Sequence, residues 1–155
     1  MPEPHADSIP PGLLELYKLA VEMADRVSAR RAGANVFFLS VQSAVVAALA
    51  FLSGQTTPPK TGILFALCGV GVLGSGVWFL LLRSYRDLNT AKFDVICNLE
   101  SQLPVQLFTD EWQSLKKDPV HGWRGRYAEL GTVERLAPAL FAALNVILAI
   151  YIGTS

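Results

Sequence analysis

The stretch "GILFALCGVGVLGSGVWFLLL" (Gly62–Leu82) supports two opposite readings. Its Gly69-x-Gly71-x-x-Gly74 has the glycine spacing of a dinucleotide-binding loop, which would make the chain an enzyme. The same stretch holds no Asp, Glu, Lys or Arg, and about 20 apolar residues suffice for a helix to cross the hydrocarbon core of a bilayer. A dinucleotide loop needs a preceding strand, a following helix and an acidic partner about 20 residues on. No βαβ pattern surrounds these glycines, and a phosphate cannot reach the middle of a lipid-embedded helix. The membrane reading prevails.

Working outward, two further stretches share the property. "NVFFLSVQSAVVAALAFLS" (Asn35–Ser53) precedes it, and "LAPALFAALNVILAIYIG" (Leu136–Gly153) follows, within a third span placed at 133–153. Neither carries a charge. The whole chain is 155 residues, 52% hydrophobic and 17% charged, against about 25% charged in ordinary soluble domains. A soluble fold has too little remaining chain to cover three such helices. Glu15, Glu22 and Asp25 precede the first span, so it does not read as a cleaved signal peptide, which has a short basic leader. Pro138 near the start of the third span is tolerable in a membrane helix.

Charge sets the orientation. Of 13 Lys and Arg residues, all but Lys60 fall before the first span or between the second and the charge-free stretch that starts at Leu136. All 13 acids fall there too. The positive-inside rule places that side in the cytoplasm. The expected order is a flexible tail (1–10), a cytoplasmic amphipathic helix (11–34), the first span (35–53), an outer loop (54–61), the second span (62–82), a cytoplasmic helical region (83–132) and the third span (133–153). The N-terminus is then cytoplasmic and the C-terminus periplasmic. The net charge is zero and points to no nucleic-acid partner.

Inside the second span, Gly62, Ala66, Gly69, Leu73 and Gly76 recur at steps of three and four. Such a stripe of small residues lets helix backbones approach in lipid. The plainer alternative is that glycine is common in membrane helices. Gln42, Ser43, Ser75 and Asn145 lie at similar depths, which suits hydrogen bonds between helices. A water-filled path lined by these groups is the alternative.

The cytoplasmic segments read as helices. Leu13, Leu16, Tyr17, Ala20, Met23 (or Ala24) and Val27 make an apolar line behind Pro10 and Pro11, for packing on protein or lying on lipid. Nothing ends that helix before the membrane. Tyr85, Leu88, Lys92 (or Ala91), Val95, Leu99 and Leu103 fall at helical steps and extend the second span into the cytoplasm until Pro104, a helix of about 60 Å from Gly62 to Leu103. Leu88, Val95, Leu99 and Leu103 form its apolar side and are the expected oligomer contacts. Arg86, Asp87, Asp94, Glu100 and Ser101 form its polar side. Mixed charges here and at Glu22, Asp25, Arg26, Arg30 and Arg31 suit ion pairs between subunits. "TDEWQSLKK" (109–117) reads as a short helix with Thr109 as N-cap, "DPVHGWRGRY" (118–127) as a loop, and Thr132 as the cap of the third span. Lys116, Lys117, Arg124 and Arg126, beside Trp112, Trp123 and Tyr127, are candidates for anionic lipid headgroups. Ordinary positive-inside charge is the plainer account of them.

Chemistry-bearing patterns are scarce. Cys68 and Cys97 would lie about 43 Å apart along one helix, beyond disulfide reach, and read as free thiols. His5 and His121 are separate and give no metal-ligand spacing. Asp110 and Glu111 suit a helix N-terminus better than an acid–base pair. The residues call for no catalytic site, cofactor or metal.

Two segments are familiar: "LYKLAVEMADRVSARRAGANVFFLS" (16–40) and "RSYRDLNTAKFDVICNLESQLPVQLFTDEW" (83–112). They resemble the RipA-type family of small octameric bacterial membrane proteins. The likeness covers roughly residues 13–115. It implies an all-α homo-oligomeric inner-membrane ring of eight subunits, with no activity or substrate attached. A more distant likeness is to two-span effector domains of bacterial defence systems. Together these favour a non-enzymatic scaffold or docking assembly whose working surface, open to a protein partner, is cytoplasmic; the alternative is an oligomeric pore or membrane-permeabilising effector.

Overall fold

A computed structural model describes residues 10, 12–57, 60–117 and 130–154. The described residues form four helices and no strand: α1 Leu13–Ser53, α2 Thr61–Glu100, α3 Leu107–Lys117 and α4 Leu130–Thr154. The expected tail at 1–9, the loop at 118–127, and the candidate headgroup residues Arg124 and Arg126 lie outside them. Three of the helices are long and apolar enough to cross a membrane, within Leu13–Ser53, Thr61–Glu100 and Glu134–Thr154.

α1 begins at a turn in which Leu13 N–H donates to the Pro10 carbonyl. Gly12 there has φ +92°, a left-handed conformation that costs glycine nothing and other residues appreciably. From Leu13 the helix runs unbroken for 41 residues. α2 stops at Glu100, earlier than the expected Leu103. The amides of Gln102 and Leu103 bond back to the carbonyls of Leu99 and Glu100, a three-residue tightening typical of a helix end. Pro104 cannot continue the helix.

Two expected caps are corrected. Thr109 lies inside α3, which starts two residues earlier at Leu107, because a carboxylate from another helix caps it (below). Thr132 lies inside α4, which already includes Leu130. Pro138 therefore falls mid-helix and is buried. It has no N–H to give the Glu134 carbonyl.

The chain divides into two compact units. One joins residues 1–28 and 87–127; the other joins 29–86 and 128–155. In the second, α1 and α2 lie antiparallel. Asn35 meets Trp78, Gln42 meets Ser75, and Leu49 clusters with Leu64 and Cys68. Leu148, Ala149 and Ile152 of α4 pack against that cluster. Toward the other end of the spans, the Trp78 ring stacks on Phe38 at 5.9 Å and meets Phe141 at 6.3 Å. Most side chains of each span face outward: only 11% of the most apolar window is buried in the first and third spans, and 28% in the second. α2 is thus the central helix of the three, and the remaining apolar surface is left for lipid or neighbours.

In the first unit, Leu13, Ala24 and Val27 of α1 and Ile96 of α2 are buried, and Phe93 of α2 meets Phe108 of α3 edge-to-face at 5.6 Å. Both cysteines are free.

Candidate functional site: two buried polar nodes

Each unit is built around one polar node. In the span unit, Gln42 is 1% exposed. Its Nε2 donates to the Gly71 carbonyl at 2.8 Å and to Ser75 Oγ at 2.9 Å. Asn145 of α4, fully buried, donates from Nδ2 to the Phe141 carbonyl at 2.8 Å. A Cβ placed on Gly71 would collide with the whole Asn145 amide, and one on Gly74 would lie 3.0 Å from Gln42 Nε2. These two glycines are the space in which the amides sit. Gln42 Oε1 and Asn145 Oδ1 are buried without a hydrogen-bond partner. The Asn145 amide lies against the Gly71 backbone, in the space a Cβ there would fill.

Of the expected intramembrane polar residues, Gln42, Ser75 and Asn145 converge here, whereas Ser43 is exposed. Residues 42 and 43 are about 100° apart round a helix, so only one can face inward. The small-residue stripe makes no contact within the chain. Gly62, Ala66, Gly69, Leu73 and Gly76 are all exposed, and a Cβ on Gly62, Gly69 or Gly76 would meet nothing within 4 Å. The glycines that receive another helix are Gly71 and Gly74, on the other side of α2.

A second bond ties α1 to α2 near Trp78, whose Nε1 donates to Asn35 Oδ1 at 2.8 Å. A buried indole N–H generally finds such an acceptor. An open groove lined by Asn35, Val36, Leu39, Trp78, Glu134 and Ala137 borders it, and Arg31 pairs with Glu134 across 3.4 Å.

The other unit is organised by Glu100, which is fully buried. Its Oε1 accepts the Tyr17 hydroxyl at 3.1 Å and the Phe108 amide at 2.9 Å. Its Oε2 accepts the amide and hydroxyl of Thr109, both at 3.1 Å. One carboxylate therefore joins three helices and supplies the cap that α3 would otherwise need. The amides at the start of α3 and its positive dipole end favour the anion. Burial pushes the Glu100 carboxyl up, but the four donors outweigh it and hold it below its usual value. Burial, the bond to Glu100 and that anion's charge together raise the Tyr17 hydroxyl.

Glu100 corrects the sequence reading, which put it on the polar side of the α2 extension. The buried line runs through Ile96 and Glu100; Leu88 and Val95 are exposed, and Leu99 and Leu103 are half-buried. Three of the charges expected to bridge subunits are paired within the chain: Arg26 with Glu22 at 2.7 Å, and Arg31 with Glu134. Lys116 and Lys117 close α3. Sequence reasoning missed Gly71, Gly74, Asn35, Trp78, Tyr17 and Glu100. Gly71 and Gly74 were visible as the last two glycines of the opening pattern. The Tyr17–Glu100 pairing leaves no local signal.

Among the described residues no cluster of three or more His, Cys, Asp or Glu could hold a metal. Hydrogen bonds join all three helices at Glu100; in the span node they join α1 to α2, and α4 meets α2 by the packing of Asn145 on Gly71. No curated protein and no solved structure matches the chain. A family model does, over residues 14–154, and its description is the octameric membrane protein family. That match takes in both nodes and all three spans, and a homo-oligomeric membrane protein fits outward-facing apolar helices: the chain belongs to the octameric membrane protein family.

Proposed function

We propose that the octamer is a non-catalytic scaffold of a bacterial inner membrane, with its working surface in the cytoplasm. The observation that carries this reading is the Glu100 node. It makes the residues outside the spans a compact body of three helices with its own buried centre, a platform on which a protein can dock. The basic residues flanking the spans support the orientation, with the N-terminus and residues 83–132 inside and the C-terminus outside.

The test combines topology and flux. In a Cys97→Ser background, Gln55→Cys or Thr57→Cys is expected to react with an impermeant thiol reagent in intact spheroplasts, and Gln113→Cys only after lysis. All three sites are exposed. Liposomes carrying the purified octamer are expected to hold an ion gradient as well as empty ones. The opposite labelling pattern would overturn the orientation, and rapid collapse of the gradient would replace the scaffold by a pore.

A further inference from the structure

Outside the spans the hydrophobic effect operates at full strength, at about 25 cal/mol per Å². The unit of residues 13–28 and 87–117 nevertheless leaves large apolar side chains in the open. On α1, Leu16 and Leu19 are 57% and 52% exposed; on α2, Leu88 and Val95 are 46% and 55% exposed. Leu88 and Val95 are seven residues apart and lie on one line of the helix. A single chain buries neither line.

Their position relative to α3 is informative. Phe93 and Glu100 are the α2 residues that hold α3. At about 100° per residue, Val95 lies about 200° from Phe93 and about 140° from Glu100, and Leu88 lies about 140° from Phe93. The Leu88–Val95 line therefore looks away from α3. On the covered flank, the connection into α3 and its first residue carry Val105 and Leu107, which are 58% and 64% exposed. The unit presents two unlike apolar surfaces on different flanks.

Eight copies inserted in a membrane in one orientation can be related only by rotation about the membrane normal. Closing such a ring requires head-to-tail contacts, in which two different patches of each subunit meet. We infer that the Leu88–Val95 face of one subunit receives the Val105–Leu107 edge of the next, so that α3 is the hook by which each copy holds its neighbour. The occupant of the open face is a second copy of this chain. The inference rests on the octameric family and this geometry, and it stands whether or not the assembly is a scaffold.

The test is directed cross-linking in native membranes, in the Cys97→Ser background. Chains carrying Leu88→Cys or Val95→Cys together with Val105→Cys or Leu107→Cys are oxidised and run without reductant. At least one of the four pairings is expected to give a covalent ladder reaching eight copies, and each single variant to give none. In parallel, Val95→Asp and Leu107→Asp chains are expected to lose the octamer when expressed alone and to form discrete dimers when co-expressed, since one interface remains intact. Retained helicity by circular dichroism separates lost assembly from lost folding. Octamers that survive both Asp variants, no ladder from any pairing, or cross-linking by a single cysteine, which marks a symmetric contact, would each overturn the proposal.

Discussion

The two units meet the same need, fastening three helices at one point, with opposite chemistry. The span unit uses neutral amides, Gln42 and Asn145, seated on glycines. The other unit uses an ionised carboxylate, Glu100, surrounded by four donors. Solvent explains the choice. A charge within the hydrocarbon region costs several kcal/mol, so a membrane node is built from dipoles and close contact. Beyond the charge-free stretch of α2 the anion keeps its charge because a helix start and two hydroxyls replace its hydration. The membrane node accordingly depends on shape and the other on charge, and substitutions should discriminate between them.

The largest effect is expected at the membrane node. Gly71→Leu forces a side chain into the Asn145 amide, and overpacking of this kind costs about 1–3 kcal/mol or more. Thermal unfolding in mild detergent should show a strong loss, whereas Gly69→Leu, whose Cβ meets open space within the chain, should leave the protomer's own packing intact. Equal protomer destabilisation by both would break the comparison.

Next is Glu100→Ala, which strips partners from the Phe108 and Thr109 amides and the Tyr17 hydroxyl. Hydrogen bonds to a charged group contribute about 1.5–3 kcal/mol. Hydrogen exchange in α3 should accelerate while amides of the span unit stay protected. Glu100→Gln should fall between, since a neutral oxygen still accepts. The same node predicts a pH effect. Because the folded carboxyl titrates below its usual value, its stabilisation is complete above the ordinary carboxylate range and is lost as pH falls through the lowered value. Acid should loosen α3 in the wild type but not in Glu100→Gln, measured by exchange at a series of pH values.

A smaller change is expected for Gln42→Leu, about 0.6–2 kcal/mol, partly offset because the variant also removes the unpaired Gln42 Oε1. A loss matching that of Gly71→Leu would show that hydrogen bonding rather than shape governs the membrane node. The smallest is Arg26→Ala. Its partner Glu22 is one turn away and both side chains are more than half exposed, so a melting change corresponding to less than about 0.5 kcal/mol is expected.

The spans were legible in the sequence because bilayer length and freedom from charge are properties of contiguous residues. The continuation of the first and second spans as unbroken helices was legible for the same local reason: no proline interrupts them, and α1 carries Gly33 within it. What could not be read was which side of α2 faces its own chain. Gly69 and Gly76 look as suited to close packing as Gly71 and Gly74, and only the partner residues Asn145 and Gln42 decide between them. Glu100 was misplaced because a period-based reading sends a carboxylate to water. Its burial depends on Tyr17, distant in sequence, and on amides of a helix that had not been placed. Thr109 failed as a cap for the same reason.

The packing of Trp78 between Phe38 and Phe141 has an optical consequence. Trp78 is 2% exposed with its indole hydrogen-bonded, while Trp112 in the other unit is 54% exposed. A chain retaining only Trp78 should emit toward the blue and resist quenching by aqueous iodide. One retaining only Trp112 should emit toward the red and be quenched readily. Intrinsic fluorescence thereby offers a separate colour channel for each half of the molecule, through which the order of their melting can be followed without any added dye.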